Sequence, residues 1–376
     1  MPICKGVREV ARLDCRGGGQ ITIENGIAYI GHMKAPSGTS IVDVRDPMKP
    51  RIIAEIEIAD GLHSHKVQAA NGIMLVNREI VSKEKAAANS LRGGLGIYDV
   101  SNPAAPREIN RWECDGTGVH RFTFDGRYAY ISPEIDGYIG NIVMILDFAD
   151  PMRPREVGRW WMPGQWLAGG ESPNWKGRQH RCHHAIRHEN RLYVSYWHGG
   201  GVILDISDLG RPRQVSGFNW SPPFPWPRHS VVPVPFPING RNYLIVADED
   251  VNPLDTEMAP ELAAFIWMVD ATDESRPIPV ATFQVDGIHG KRNPEMTGCH
   301  QPVEMVRGTE IPVAWFAQGL RFIDFSNPMA PRESAHYIPD LPTGSDRVSS
   351  NDVFQDDRGI VYLIDRMGGL SIVERI

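Results

Sequence analysis

An all-β chain folded as a seven-bladed β-propeller is what this sequence predicts, on three observations. A ten-residue segment recurs along the chain, the two termini carry complementary parts of one further copy, and a histidine opens five successive copies. Sustained helical periodicity is nearly absent, so strands are the elements from which the repeat is built.

The segment reads IVDVRDPMKP at 41–50, IYDVSNPAAP at 97–106, ILDFADPMRP at 145–154, ILDISDLGRP at 203–212, MVDATD at 268–273 and FIDFSNPMAP at 322–331. Each copy is an apolar strand ending in Asp, a short turn that usually carries two prolines, and a further short strand. Proline fixes φ and the Asp or Asn side chain caps the turn, so the geometry is encoded locally. Successive anchor aspartates stand between 48 residues (Asp99 to Asp147) and 65 residues (Asp205 to Asp270) apart. Four-stranded blades of about 40–50 residues plus loops suit that spacing, and helix-pair solenoids do not.

One more blade is split between the termini. GLSIVERI at 369–376 matches GLRFIDF at 319–325 but stops before an outer strand, and VREVARL at 7–13 matches the outer strand PREVGRW at 154–160. The N-terminal strand therefore completes the C-terminal blade and removes the open edges a sheet must otherwise protect. Seven blades follow by count, six if one copy is degenerate, and residues 1–376 read as a single propeller domain. One helix is expected, from Glu257 to Phe265, inserted within the fifth blade.

With these segments in view the sequence resembles the LVIVD-repeat family of β-propellers. The likeness is carried by GIYDVSNP at 96–103 and GVILDIS at 201–207, and it covers essentially the whole chain. The resemblance implies a fold and fixes no reaction, so function is argued from the site.

Composition narrows the function classes. The 376 residues exceed the usual single domain, as closed repeat folds routinely do. The 37 glycines and 30 prolines fit many tight turns. A net charge of −7 argues against nucleic acid or an anionic membrane as partner. No apolar run approaches the roughly 18 residues of a membrane span, and the start MPICK lacks the apolar core of a secretory signal, so a cytoplasmic protein is expected. Cys4, Cys15, Cys114, Cys182 and Cys299 are odd in number and include no C-x-x-C pair, which excludes a zinc ribbon and argues against a disulfide framework. Cys299 precedes His300 and should pack between blades.

The histidines are the chemical signal. His65, His120, His184, His229 and His300 each open an innermost strand shortly before its turn, and Gln20 and Asn351 take that position in the two remaining blades. Repeats that close on themselves bring equivalent positions together, so the five form a ring at the channel mouth. Polar groups that merely bind water could be asparagine, serine or threonine; a run of imidazoles points to a transition metal, Fe, Cu, Mn or Zn. One ion rarely takes five, which leaves some for substrate or proton transfer. The second strand of each blade returns antiparallel and ends beside this ring. Those ends are His32, Arg78 with Glu79, Glu134, His198, Asp248 with Glu249, Gln318 and Arg366. Glu134 and Glu79 are expected to orient ligand histidines, with His63 and Arg366 as further catalytic candidates. His63 has the parity to stand in for His65, whereas His183 should face the blade interior.

Two long aromatic segments, one from Trp160 to His184 and one from Phe218 to His229, hold six of the ten tryptophans. Trp166, Trp175, Trp220 and Trp226 read as a roof over the ring, with His198 on the substrate and Arg228 or Arg181 for a carboxylate or phenolate. A buried plug or an interface between copies of the chain, giving a homo-oligomer, is the alternative. The function expected is that of a metal-dependent enzyme acting on a small, aromatic or largely apolar substrate, oxidative first. Its layout is similar to that of the carotenoid-cleaving oxygenases. A lyase or hydrolase using the ion as Lewis acid is second, and a non-catalytic protein-binding scaffold is third.

Overall fold

The computed structural model describes all residues except 177, 222, 252–262 and 287–295. Strand makes up 51% of it and helix 3%, so the class is all-β. The chain divides into two compact units, a first of residues 17–190 with 205–213 and a second of 1–16, 191–204 and 214–376.

The first unit contains three four-stranded antiparallel meanders. They run Gly18–Glu24, Ile27–His32, Ser37–Asp43, Arg51–Glu57; then Val67–Ala70, Ile73–Ile80, Gly94–Asp99, Arg107–Glu113; then Gly118–Phe124, Tyr128–Glu134, Val143–Asp147, Arg155–Trp160. Asn25-Gly26 and Asn71-Gly72 turn two of the inner hairpins with both residues at positive φ, the twist that matches paired strands. Their inward faces bury residues such as Leu75, Ile97, Phe122, Ile131 and Leu146, each worth about 1.5–3 kcal/mol of apolar burial.

The second unit repeats the plan with Arg228–Pro233, Tyr243–Asp248, Ile266–Asp270, Ile278–Phe283 and with Gln301–Pro302, Glu310–Ala314, Leu320–Asp324, Arg332–Ile338. Its third meander is Ser350–Gln355, Val361–Asp365, Gly369–Arg375 and, from the other end of the chain, Val7–Leu13. The register runs from Val7 opposite Arg375 to Leu13 opposite Leu370, so the terminal strands complete one blade.

The repeated aspartates hold the turns as the sequence requires. Asp43, Asp99, Asp147, Asp205, Asp270 and Asp324 each accept the backbone N–H two residues on, at 2.8–3.2 Å. Three residues later a second Asp or Asn does the same, Asp150 to Met152 and Asn327 to Met329 among them. Arg51, Arg107 and Arg332, eight residues after their anchors, close the turn by pairing with Asp43, Asp99 and Asp324.

The helical expectation over 257–262 lies outside the described residues, and Ala263–Phe265 are not helical. A short helix not anticipated from the sequence spans Lys83–Ala88, capped by the Ser82 hydroxyl on Lys85 N at 3.3 Å. Its signal was local and too brief for periodicity: a capping Ser before a run of good helix formers. Among the described residues no helix is long and apolar enough to cross a membrane.

Candidate functional site

The inner strands are not regular where the ring positions fall. Val119 pairs with Pro133 and Phe122 with Ile131, so His120 and Arg121 face one residue, Ser132. The same extra residue appears between Gly18 and Ile21, Arg228 and Ser230, and Ser350 and Asp352. It recurs in the His65 blade, where His63 pairs with Glu79 and Val67 with Val76. A bulge bends the strand and re-aims a side chain. Its unpaired backbone is satisfied from second strands, of the same blade or the preceding one. Arg121 N donates to Ser132 Oγ at 2.9 Å and Lys66 N to Asn77 Oδ1 at 2.8 Å, while Ser195 Oγ donates to the His229 carbonyl at 2.7 Å.

In the first unit this brings four imidazoles into a row. Ring centroids are 4.1 Å apart for His63 and His65, 4.9 Å for His65 and His120, and 4.9 Å for His120 and His183. His183, expected to face the blade interior, holds the place beside His120 that parity assigned to His184. His184 is fully buried one residue further on. Close backbone approaches make room for the row. A Cβ on Gly31 would lie 2.6 Å from the His65 carbonyl, and one on Gly118 (φ +96) would lie 2.3 Å from the Arg78 carbonyl. Gly118 pairs with Glu79, which sets that carboxylate beside His120.

Glu79 Oε2 accepts from His120 Nδ1 at 2.8 Å and lies 3.3 Å from His63 Nδ1. Burial alone would raise its pKa, but the His120 and His63 contacts outweigh burial and hold it well below the usual carboxylate range. His65 is driven well below the ordinary imidazole value by burial first, then by His63, His120, Arg121 and His183. His120 is lowered by burial, with Glu79 opposing. Burial thus favours the neutral form of His65 and His120, the form in which imidazole binds a metal. His63, His65 and Glu79 each offer a ligand atom within 4.8 Å of the other two, so this group could hold a metal ion. The surroundings are cationic: Arg121 is buried, and Arg181 acts on His120 while donating to Asn141 Oδ1 at 3.2 Å.

Other predicted residues of the first unit meet other partners. Glu134 accepts from the Thr117 hydroxyl at 2.9 Å. Trp166, 39% exposed, packs on Tyr138 and Trp161, and Trp175 stacks on His180 at 4.5 Å. Glu171 ties that loop together by accepting from Trp161 Nε1, Gly164 N and Trp166 N.

In the second unit His229 and His300 have ring centroids 4.2 Å apart, and both face Glu249. Arg366 Nε donates to Asn351 Oδ1 at 2.7 Å and its guanidinium lies over Phe316. Half-buried His198 lies beside Trp197. Arg228 is not at the disposal of a substrate carboxylate: it is 1% exposed, paired with Asp248 and flanked by Trp220 and Trp267. Trp220 stacks on Trp267 at 4.2 Å, and Trp226 is 1% exposed. These two tryptophans build core, as the buried-plug alternative has it. Cys182 and Cys299 are buried, in keeping with the packing role given to Cys299.

Blades of four strands built on one repeated turn make this chain a repeat-type β-propeller. The model of the LVIVD repeat matches residues 91–113 and 188–219. Solved structures agree over most or all of the length. The WD40 β-propeller domain of Doa1 superposes with a TM-score of 0.63 at 8% identity, over 99% of this chain and 98% of that one. The periplasmic gluconolactonase of Pseudomonas aeruginosa gives 0.59 at 13% identity over 85% of each chain. A putative 6-phosphogluconolactonase from Bacteroides uniformis gives 0.58 at 11%, over 85% and 84%. At such identities the likeness is one of fold. No curated protein matches the chain in sequence.

Proposed function

We propose that this propeller is a metal-dependent enzyme whose ion is held by the imidazoles of the first unit, His63, His65 and His120, with Glu79 beside them. One observation carries the reading: a single half-buried carboxylate accepts from His120 and faces His63 through their Nδ1 atoms. A carboxylate only accepts, so those nitrogens carry the protons and Nε2 of each ring keeps its lone pair for a ligand role. A bound iron or copper ion would supply oxidative chemistry, and zinc or manganese would supply a Lewis acid.

The oxidative reading, on a small organic substrate, is supported by the neutral nitrogen donors with their charge balanced by a neighbouring carboxylate. The hydrolase or lyase reading is favoured by a different observation, the Arg121 and Arg181 guanidinium groups acting on His120, which suit an anionic substrate. The fold likeness to two lactonases points the same way. The five free thiols support a reducing compartment, the cytoplasm, as its location.

Elemental analysis of purified protein tests the metal. His65→Ala and His120→Ala should each lower bound transition metal by about one ion per chain with near-ultraviolet circular dichroism unchanged. Unchanged metal content in both variants removes the proposal. The identity of the native ion, redox-active or not, chooses between the two reactions.

A further inference from the structure

We propose that His229, His300 and Glu249 of the second unit are ligands of a transition-metal ion. All three are buried: the histidines are 0% and 2% exposed and the carboxylate residue 8%. His300 Nε2 lies 3.4 Å from Glu249 Oε1, and His229 Nε2 lies 3.9 Å from Glu249 Oε2. Two imidazoles therefore address the two oxygens of one carboxylate.

The far side of each ring determines what those Nε2 atoms present. His300 Nδ1 faces the backbone carbonyl of Asn351, which only accepts, so the proton sits on Nδ1. His229 Nδ1 is 3.0 Å from Ser230 Oγ, and that hydroxyl donates its own proton to Gln301 Oε1 at 3.3 Å. The Ser230 oxygen is thus the acceptor for His229 Nδ1–H. In their neutral forms both rings turn Nε2 lone pairs toward an acid in a buried setting. Those lone pairs and the carboxylate oxygens are all electron-pair donors. A cation converts the same arrangement into coordination.

The distances suit an ion. Donor atoms each about 2.0–2.2 Å from one metal, at tetrahedral or octahedral angles, lie roughly 3.0–3.6 Å from one another. The 3.4 Å separation falls within that span, and the 3.9 Å one needs a few tenths of an ångström of side-chain movement. A good hydrogen bond would be shorter than either. The support is also that of a ligand set: Arg366 holds the Asn351 side chain at 2.7 Å, and Phe316 lies against His300 at 4.3 Å. Two imidazoles and a carboxylate form a donor set for Zn(II), Fe(II), Mn(II) or Co(II).

The test is loading of purified full-length protein with Co(II), dialysis, and metal analysis together with the visible Co(II) spectrum. Wild type should retain about two ions per chain. Glu249→Gln and His300→Gln, both near in size to the native side chains, should each remove about one ion and its share of the spectrum. His120→Ala should remove the other. Full wild-type metal content and spectrum in both Glu249→Gln and His300→Gln overturns the proposal and leaves a proton between the rings and the carboxylate. Loss in those variants with none in His120→Ala keeps this site and removes the one proposed for the first unit.

Discussion

Glu79→Gln removes one negative charge and almost no volume from the histidine row of the first unit. Both contacts fall on the same oxygen, Oε2, at 2.8 Å to His120 and 3.3 Å to His63. An amide oxygen placed there faces the same two N–H groups, so geometry survives and charge assistance is lost. Hydrogen bonds to a charged group are worth about 1.5–3 kcal/mol and neutral ones about 0.5–1.5 kcal/mol. The short bond should lose about 1–1.5 kcal/mol and the longer contact a few tenths of a kcal/mol. At about 1.4 kcal/mol per tenfold, metal affinity should fall about 5- to 20-fold. Glu79→Ala leaves two half-buried N–H groups without an acceptor, at about 1–3 kcal/mol each, and should cost about 100-fold. The assay is competition for Zn(II) against a chelator of known affinity, near neutral pH, for all three proteins. Affinities in the order wild type, Gln, Ala are expected. Equal losses for Gln and Ala refute the role given to the accepted N–H groups, and unchanged affinity in both removes Glu79 from the site.

Trp226→Ala should act on stability and leave metal content unchanged, because the side chain is 1% exposed. A fully buried Trp→Ala change costs about 3–5 kcal/mol. At about 2.1 cal/mol/K per residue that lowers Tm by roughly 5 °C in thermal unfolding; an unshifted Tm with altered substrate affinity would return this residue to the roof. The anchor aspartates predict acid sensitivity. Asp99 and Asp324 are lowered chiefly by the backbone N–H groups of Ser101 and Ser326, and Asp43 and Asp147 chiefly by Arg45 and Arg127. A depressed folded-state pKa stabilises above the unfolded value, about 3.9 for Asp, and that stability disappears as pH falls through the folded values. Tm should therefore hold down to about pH 5 and fall steeply below about pH 4. Asp99→Asn should start from a lower Tm and fall less steeply; an acid limb identical to wild type counts against the turns as its origin.

The fold was legible because its determinants are local. An Asp that caps the N–H two residues on does so whatever the rest of the chain does, and six copies of that turn reveal the repeat. The terminal strand was legible for the same reason, since Val7–Leu13 repeats an outer strand seen elsewhere. The site was legible in its residue types and less so in its geometry. Alternation along a strand assigns His184 inward, whereas the side chain beside His120 belongs to His183. Parity fails when a strand takes an extra residue, and inner strands on both sides of this position in the sequence do so at the corresponding point. A sequence signal for the bulge existed in the small polar residues Asn77, Ser132 and Ser195 within otherwise apolar second strands. These satisfy the backbone that a bulge leaves unpaired.

The carboxylates show where repeat position stops deciding chemistry. Glu79 and Glu134 stand at matching strand ends, opposite His63 and Gly118. Of these two, it is Glu79 that meets imidazoles. Its neighbours are histidines in the short strand Leu62–His63 and at the bulge of the next inner strand, so their N–H groups find it. Glu134 meets the Thr117 hydroxyl first and is occupied there. In the second unit Asp248 and Glu249 divide the two roles between adjacent residues. Asp248 is buried against Arg228 and Trp267, with its pKa raised to about 6 by burial, while Glu249 faces His229 and His300. A carboxylate at the end of a second strand is therefore a candidate for a metal site where imidazoles approach it on their N–H or lone-pair side. The repeat supplies the place, and the residue that reaches it first determines the chemistry.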